Sequence, residues 1–264
     1  MEERIKTLVA DTIATIQQGG GKIVGTVDAQ YIARRVNESL EALRAFHPNV
    51  SPSRAKRILN IAGNSKTGES FNLPALATCP TGARLAKVEG TVCSRCYARK
   101  GRFIFANVIQ STIATYAIVE AVLRDDTLRG AYVATWKAYA KGRRMIRLHG
   151  SGDVYSTQYW ALLKEIAAAC GGTLFWLPTK ETLVASDRAI PDNLIVRYSM
   201  AKVNAPSDVA SDGELISIVV DAVDYDYSGT FRCPATFNPT WQGTCNDCRA
   251  CADRSKRVIV YRRH

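Results

Sequence analysis

Histidine is nearly absent from this chain. There are three in 264 residues, at positions 47, 149 and 264, too scattered for a catalytic triad or for the paired histidines of a zincin helix. Acidic residues are also in short supply: 24 against 35 lysines and arginines leave a formal net charge of +11. A surplus of that sign points to a polyanionic partner, nucleic acid or a nucleotide. No stretch approaches the roughly 18 uninterrupted apolar residues of a membrane span, so no membrane association is expected. The opening MEERIKTLVADTIATIQQGGG has no basic n-region, long apolar core or small-residue cleavage site, so a secretory leader is not expected either. Gly19-Gly20-Gly21-Lys22 lacks the spacing and final Ser or Thr of a phosphate loop. Repeats and low-complexity segments are missing as well. These absences together predict a cytoplasmic protein, in which thiols stay reduced.

Cysteine, by contrast, is plentiful. Seven of the eight fall into two groups: Cys79-x13-Cys93-x2-Cys96, and Cys233-x11-Cys245-x2-Cys248-x2-Cys251. Clustered cysteines in a reducing compartment predict metal or catalysis rather than disulfides. A chain of this length buries a full core and needs no staples to fold. The run CxxCxxC lets several thiolates converge on one centre, and with Cys233 it makes four ligands, a closed site suited to an iron–sulfur cluster or to zinc. Cys79, Cys93 and Cys96 have no evident fourth partner, which leaves one metal position open to a substrate or cofactor. A cysteine of the other group, or His264, is an alternative fourth ligand, so the spacing is compatible with one metal centre or two. Cys170, alone at a helix end, reads as a small buried hydrophobe.

Along the chain, Ile5, Leu8, Val9, Ile13 and Ile16 recur at helical spacing, and Asp28 caps a second helix striped by Ile32, Val36, Leu40 and Leu43. Residues 1–50 are expected to be a helical appendage, and 51–264 an α/β metal-binding catalytic domain. RILNIAG reads as a short strand. A long loop then runs from Asn64 to Gly101, and two helices follow, FIFANVIQSTIATYAIVEAVLR and LRGAYVATWKAYAKG. From there strands and helices alternate: RMIRLHG, TQYWALLKEIAAAC, TLFWLP, LIVRYSM, LISIVVDA and KRVIVYRR. Alternation of this kind predicts a mainly parallel sheet, open or curled into a partial TIM-like barrel, with its site at the carboxyl ends of the strands.

At one such end stands RLHGSGDVYS. Its glycines permit a sharp turn and close backbone approach to a ligand. Asp153, His149 and Ser151 are the candidate catalytic residues there, Asp153 as base, nucleophile or amine-orienting anion and His149 as ligand or proton carrier. Ser156 or Thr157 caps the following helix, so Asp153 is not needed for that. The next strand ends in Thr179, Lys180 and Glu181. Basic residues cluster beside both cysteine groups, and Arg99, Lys100, Arg147 and Lys180 are the candidate phosphate-binding residues.

The segments GNSKTGESFNLPALATCP, CSRCYARKG, HGSGDVYS and WLPTK, with the terminal CP…C…CxxC and closing His264, resemble the mycobacteriophage gene-88-product family over most of residues 60–264. That resemblance implies a phage-type protein, working in host cytoplasm, without implying a reaction. A looser mechanistic likeness is to radical S-adenosylmethionine enzymes, in which three cysteines hold a [4Fe–4S] cluster whose fourth iron binds the cofactor. It implies a cluster on Cys79, Cys93 and Cys96, with residues 151–153 approaching S-adenosylmethionine. Here thirteen residues separate the first two cysteines, where such enzymes usually have three. Base-exchanging deazaguanine transglycosylases offer a further likeness: Cys245, Cys248, Cys251 and His264 imitate their zinc site and Asp153 their strand-end aspartate. The leading expectation is an iron–sulfur enzyme acting on nucleic acid or a nucleotide, DNA before RNA. The alternatives are a zinc-dependent base-exchange enzyme and a non-catalytic, zinc-containing nucleic-acid-binding protein.

Overall fold

The structure, a computed structural model, describes residues 2–64, 68–185, 187, 189–206, 214–221, 225–245 and 247–263. Among them run helices α1 (Glu2–Gln18), α2 (Ala29–Arg44), α3 (Pro52–Ile58), α4 (Pro80–Leu85), α5 (Ala106–Val122), α6 (Asp126–Ala140), α7 (Thr157–Ala169), α8 (Thr182–Ala185) and α9 (Pro234–Phe237). The strands are β1 (Ala62–Asn64), β2 (Gly68–Phe71), β3 (Met145–Leu148), β4 (Leu174–Thr179), β5 (Leu194–Ser199), β6 (Ile216–Val220), β7 (Phe231–Arg232) and β8 (Val258–Arg262).

Local chemistry accounts for most of the boundaries. The Asp28 carboxylate accepts from the amides of Gln30 and Tyr31, and the Ser156 hydroxyl from that of Tyr159, so both predicted caps are in place. RILNIAG is not one strand. Ser51 caps a helix with Pro52 at its first turn, the chain reverses at Asn60 in the left-handed region (φ 54°), and only then does β1 begin. GESF, inside the expected loop, forms β2. It carries no alternating apolar pattern; it pairs antiparallel with the adjacent β1 on one side and with the distant β3 on the other.

The strands form one eight-stranded sheet in the order β1-β2-β3-β4-β5-β6-β8-β7, antiparallel only between β1 and β2. The edge strands β1 and β7 do not pair with each other, so the sheet is open and not a closed barrel. From β2 to β6 the parallel strands follow chain order, and α5, α6, α7 and α8 between them all send residues into one core on one face. Ile146, Leu148, Phe175, Leu177 and Leu194 point to that face. The intervening Met145, Trp176 and Ile195 point to the other, where Leu215, Cys251 and Ala252 of the C-terminal segment cover them.

The N-terminal helices, expected as an appendage, share the helical-side core. Ile32, Val36, Leu40 and Leu43 are buried together with Ile113, Ile118 and sheet residues. At about 1.5–3 kcal/mol for each large side chain removed from water, that stripe is a substantial part of the protein's stability. α5 buries residues on most of its circumference because it packs against α1, α2 and α6. Glu69 on β2 ties the layers together by accepting from Lys56 Nζ (2.5 Å), Tyr139 Oη (2.6 Å) and Arg143 (3.0 Å).

Candidate metal and strand-end site

After β3 the backbone turns sharply. His149 takes a left-handed conformation (φ 58°), and its amide and that of Gly150 both donate to Phe71 O. Leu73 and Ser151 bond in both directions, amide to carbonyl and Ser151 Oγ to Leu73 O (2.8 Å). Gly152 (φ 81°) passes so close to the first cysteine loop that a Cβ there would lie 2.5 Å from Leu73 Cβ and 2.7 Å from Thr78 Oγ1. No other residue fits that path. The amide of Asp153 then donates to Thr78 O, one residue before Cys79.

Asp153 is buried beneath this turn. Its carboxylate accepts from Thr179 Oγ1 (2.6 Å), the Val154 amide (2.8 Å) and the Lys180 amide (3.0 Å). Burial pushes its pKa up to about 6, against the pull of those hydrogen bonds. Asp153 therefore locks the end of β3 to the end of β4. Glu181, also buried, accepts from the amide and hydroxyl of Thr81 and so holds the start of α4, whose capping position is Cys79.

The three thiols of the first group lie near enough to these strand ends and to one another to interact electrostatically. Gly82 lies beside two of them: a Cβ there would be 3.6 Å from Cys93 Sγ and 4.0 Å from Cys79 Sγ. Cys93 and Cys96 are set by one tight turn, with the Cys96 amide on Cys93 O (3.2 Å). Burial raises the Cys79 thiol well above its ordinary range, and Asp153, Cys96 and Cys93 raise it further. Burial also raises Cys93; Lys180 opposes that, while Cys96, Asp153 and Glu181 add to it. The loop also crosses to the end of β5, where Thr91 bridges Lys202.

The other candidates are distributed differently. His149 is buried, and its Nε2 meets Tyr159 Oη at 2.7 Å. Burial, with Arg147 nearby, holds the ring down at about 3, so it is neutral near pH 7, with Nδ1 lacking a partner. Ser151 is buried and committed to Leu73 O. Arg99 turns to the N-terminal helix and donates to the carbonyls of Gly19 and Gly20 (3.3 and 2.9 Å). Lys100 is exposed. Arg147 lies on the face opposite the helical core, over the Trp176 ring (4.8 Å) and donating to Tyr97 Oη (3.2 Å).

The second cysteine group gathers around Ile259. Cys233, Cys245 and Cys251 pack there with Ala235, Ala250 and Tyr261, and the Cys248 amide closes a turn on Cys245 O (2.9 Å), the same turn as in Cys93–Cys96. Cys251 Sγ lies 3.0 Å from Tyr261 Oη, and burial pushes this thiol up to about 11. Below it sits Arg197, fully buried on β5, donating to the carbonyls of Cys251, Ile216, Lys256, Arg257 and Asp253. Cys251 feels both Arg197 and Arg147, so Arg147 stands between the two cysteine groups. His264 lies outside the described residues. Among those described, no three His, Cys, Asp or Glu side chains stand in a ready-made metal-ligand arrangement. Cys170 is buried in the helical core, as expected.

Sequence reasoning missed Tyr97, Tyr159, Gly82 and Arg197. Two of these had a signal: an aromatic directly after CxxC, and an arginine inside the apolar strand LIVRYS. Gly82 and Tyr159 are ordinary residues until the fold brings Cys93 and His149 to them.

A model of the family described as Gene product 88 matches residues 46–254, spanning both cysteine groups and the His149–Asp153 turn. The chain belongs to the Gene product 88 family. This is the phage family whose motifs the sequence resembles. The match begins just after α2, so the two N-terminal helices lie outside it. No curated protein and no solved structure matches the chain. No helix among the described residues is long and apolar enough to cross a membrane.

Proposed function

We propose that this Gene product 88 protein is an iron–sulfur enzyme of radical S-adenosylmethionine type that acts on nucleic acid or a nucleotide in host cytoplasm. The observation carrying the proposal is the proximity of Cys79, Cys93 and Cys96 to one another and to Asp153 and Lys180 at the carboxyl ends of β3 and β4. The one-way strand order from β2 to β6 supports it, being the order of a partial barrel. The donor set fits: three thiols on one loop, with Gly82 leaving the space between two of them clear. A [4Fe–4S] cluster held there supplies one-electron chemistry and an open iron for S-adenosylmethionine.

The chain's own residues then have separate tasks. Asp153, with both oxygens already accepting hydrogen bonds, positions the turn and presents negative charge to the cofactor's amine. A base-exchange nucleophile needs a carboxylate freer than this one, which favours the iron–sulfur reading over the zinc transglycosylase. Lys180, beside Cys93, and Arg147, over Trp176, are the cations assigned to an anionic group of the substrate. The second cysteine group is an auxiliary or structural centre. If a metal held its cysteines as thiolates, they would supply counter-charge near the buried Arg197, whose hydrogen bonds all go to backbone carbonyls.

The test is anaerobic purification followed by quantitation of iron, sulfide and zinc, with binding of S-adenosylmethionine measured by equilibrium dialysis. Several irons per chain, a broad absorption near ~400 nm, and cofactor binding lost in Cys93→Ala and Cys96→Ala are expected. A colourless protein with zinc alone and no cofactor binding refutes the proposal and returns weight to base exchange or to a binding module.

A further inference from the structure

The segment that carries the first CxxC also carries an aromatic and basic surface that the metal does not account for. Between Gly90 and Val119 there is no aspartate or glutamate, while Arg95, Arg99, Lys100 and Arg102 fall within it. Arg99 is committed to the end of α1. Arg95, Lys100 and Arg102 are exposed, with no carboxylate partner among the described residues.

Interleaved with these cations are two of the most exposed large apolar side chains, Tyr97 (47%) and Phe105 (45%). Neither is a loose surface residue. The Tyr97 hydroxyl end is buried, donating to Gly150 O (2.5 Å) and accepting from Arg147, while Phe103 meets the ring edge-on at 5.6 Å. Phe105 is clamped on both sides by the Val24 strand bridge, Val24 N to Ile104 O (2.7 Å) and Ala106 N to Val24 O (2.8 Å). Two exposed aromatic residues thus stand on bonded backbone in a segment that carries four cations and no acid of its own. The small cavity that Ala98, Phe103 and Ile104 of this segment help line, ≈ 30 Å³, holds little more than a water, so the surface itself is what a ligand can use.

We propose that this surface binds single-stranded nucleic acid, with bases stacked on Tyr97 and Phe105 and phosphates met by Arg95, Lys100 and Arg102. A duplex keeps its base faces inside the stack and offers such rings nothing, whereas an open strand exposes a face at every base. The proposal deepens the proposed function by naming the form of the substrate, and it rests on that reading only for the chemistry beside Cys96.

The test uses the full chain and fluorescein-labelled oligonucleotides of about 20 nucleotides, single-stranded and duplex, read by fluorescence anisotropy at two salt concentrations. Single strands should bind at least ~10-fold tighter than duplex, and Tyr97→Ala and Phe105→Ala should each weaken single-strand binding ~5–100-fold. Removing Arg95, Lys100 or Arg102 should reduce the salt slope by about 0.7 each. Phe105→Trp should keep binding and show fluorescence quenching by the strand, a readout that survives if an alanine variant misfolds. Equal or tighter duplex binding, no effect of either aromatic substitution, an unquenched tryptophan, or no binding at all overturns the proposal. Metal content measured on the same samples separates the two ideas: single-strand binding by protein free of iron refutes the iron–sulfur reading and leaves this surface standing.

Discussion

Gly152→Ala tests the geometry of the strand-end turn most sharply. Two penalties meet at this residue. Its φ of 81° is a conformation that an alanine adopts at a cost of roughly 1–2 kcal/mol. A Cβ would also stand 2.5 Å from Leu73 Cβ, 2.7 Å from Thr78 Oγ1 and 3.1 Å from Leu73 Cα; the two Leu73 atoms are fixed by the backbone and cannot swing aside. Overpacking of that kind costs about 1–3 kcal/mol more. The expected loss is ~2–5 kcal/mol, and at roughly 2–4 °C per kcal/mol for a chain of this size, the melting temperature should fall by about 4–20 °C. Two controls divide the effect. Gly142 shares the positive φ (78°) but has open space around its Cβ, so Gly142→Ala should lose only ~1–2 kcal/mol. Gly171 has neither problem, and Gly171→Ala should be neutral or slightly stabilising, by up to ~1 kcal/mol. The assay is thermal and urea unfolding of the three variants. If Gly152→Ala melts with Gly142→Ala, the close packing of the turn on Leu73 and Thr78 is wrong, and with it the placement of Asp153 beside Cys79.

Glu69 should carry an acid-sensitive part of the stability. Burial alone would raise its pKa, but hydrogen bonds from Lys56, Tyr139 and Arg143 outweigh that and hold it at about 2 instead of 4.5. A depressed carboxylate contributes above the unfolded value and is lost as pH falls from about 4.5 toward 2. With a third of the side chain in solvent, ~1–2 kcal/mol is expected. Urea unfolding of Glu69→Gln should show that loss at pH 7 and a flatter acid limb, and an unchanged acid limb would exclude the linkage. Tyr159→Phe leaves the buried His149 ring without its Nε2 partner and should cost ~1–3 kcal/mol in the same assay. Arg99→Ala should loosen the end of α1, seen as faster amide exchange in residues 10–22, while leaving oligonucleotide binding nearly unchanged. A loss of binding matching that of Lys100→Ala would return Arg99 to the nucleic-acid contacts.

Periodicity sufficed for the long elements. The apolar stripes of α1, α2 and α7 and the apolar runs of β3–β6 and β8 are local patterns, and each appears close to where its pattern begins and ends. The cysteine groups and the His149–Asp153 turn were legible as well, because CxxC spacing and glycine-rich strand ends are written in consecutive residues. β2 was not legible: GESF has no apolar alternation, and it joins the sheet through β1 on one side and, on the other, through Ser70 beside Arg147 and Phe71 beside Leu148, a pairing more than seventy residues distant. The N-terminal helices looked separable because their sequence carries no chemistry, but the one-sided stacking of connecting helices requires a cover, and α1 and α2 provide it.

Residue type alone determined which side chains were chemically capable: thiols for metal, a carboxylate at a strand end, basic residues for phosphate. Only the tertiary structure decided which of them are available. It turned Arg99 inward onto Gly19 and Gly20, buried His149 as a neutral ring, filled the Asp153 carboxylate with hydrogen bonds, and left Tyr97 and Phe105 facing solvent. Burial and hydrogen-bond occupancy set what a titratable or polar group can do, and both come from neighbours that are distant in sequence. The chain can announce its chemistry residue by residue, but access to that chemistry arises only where the folded segments meet.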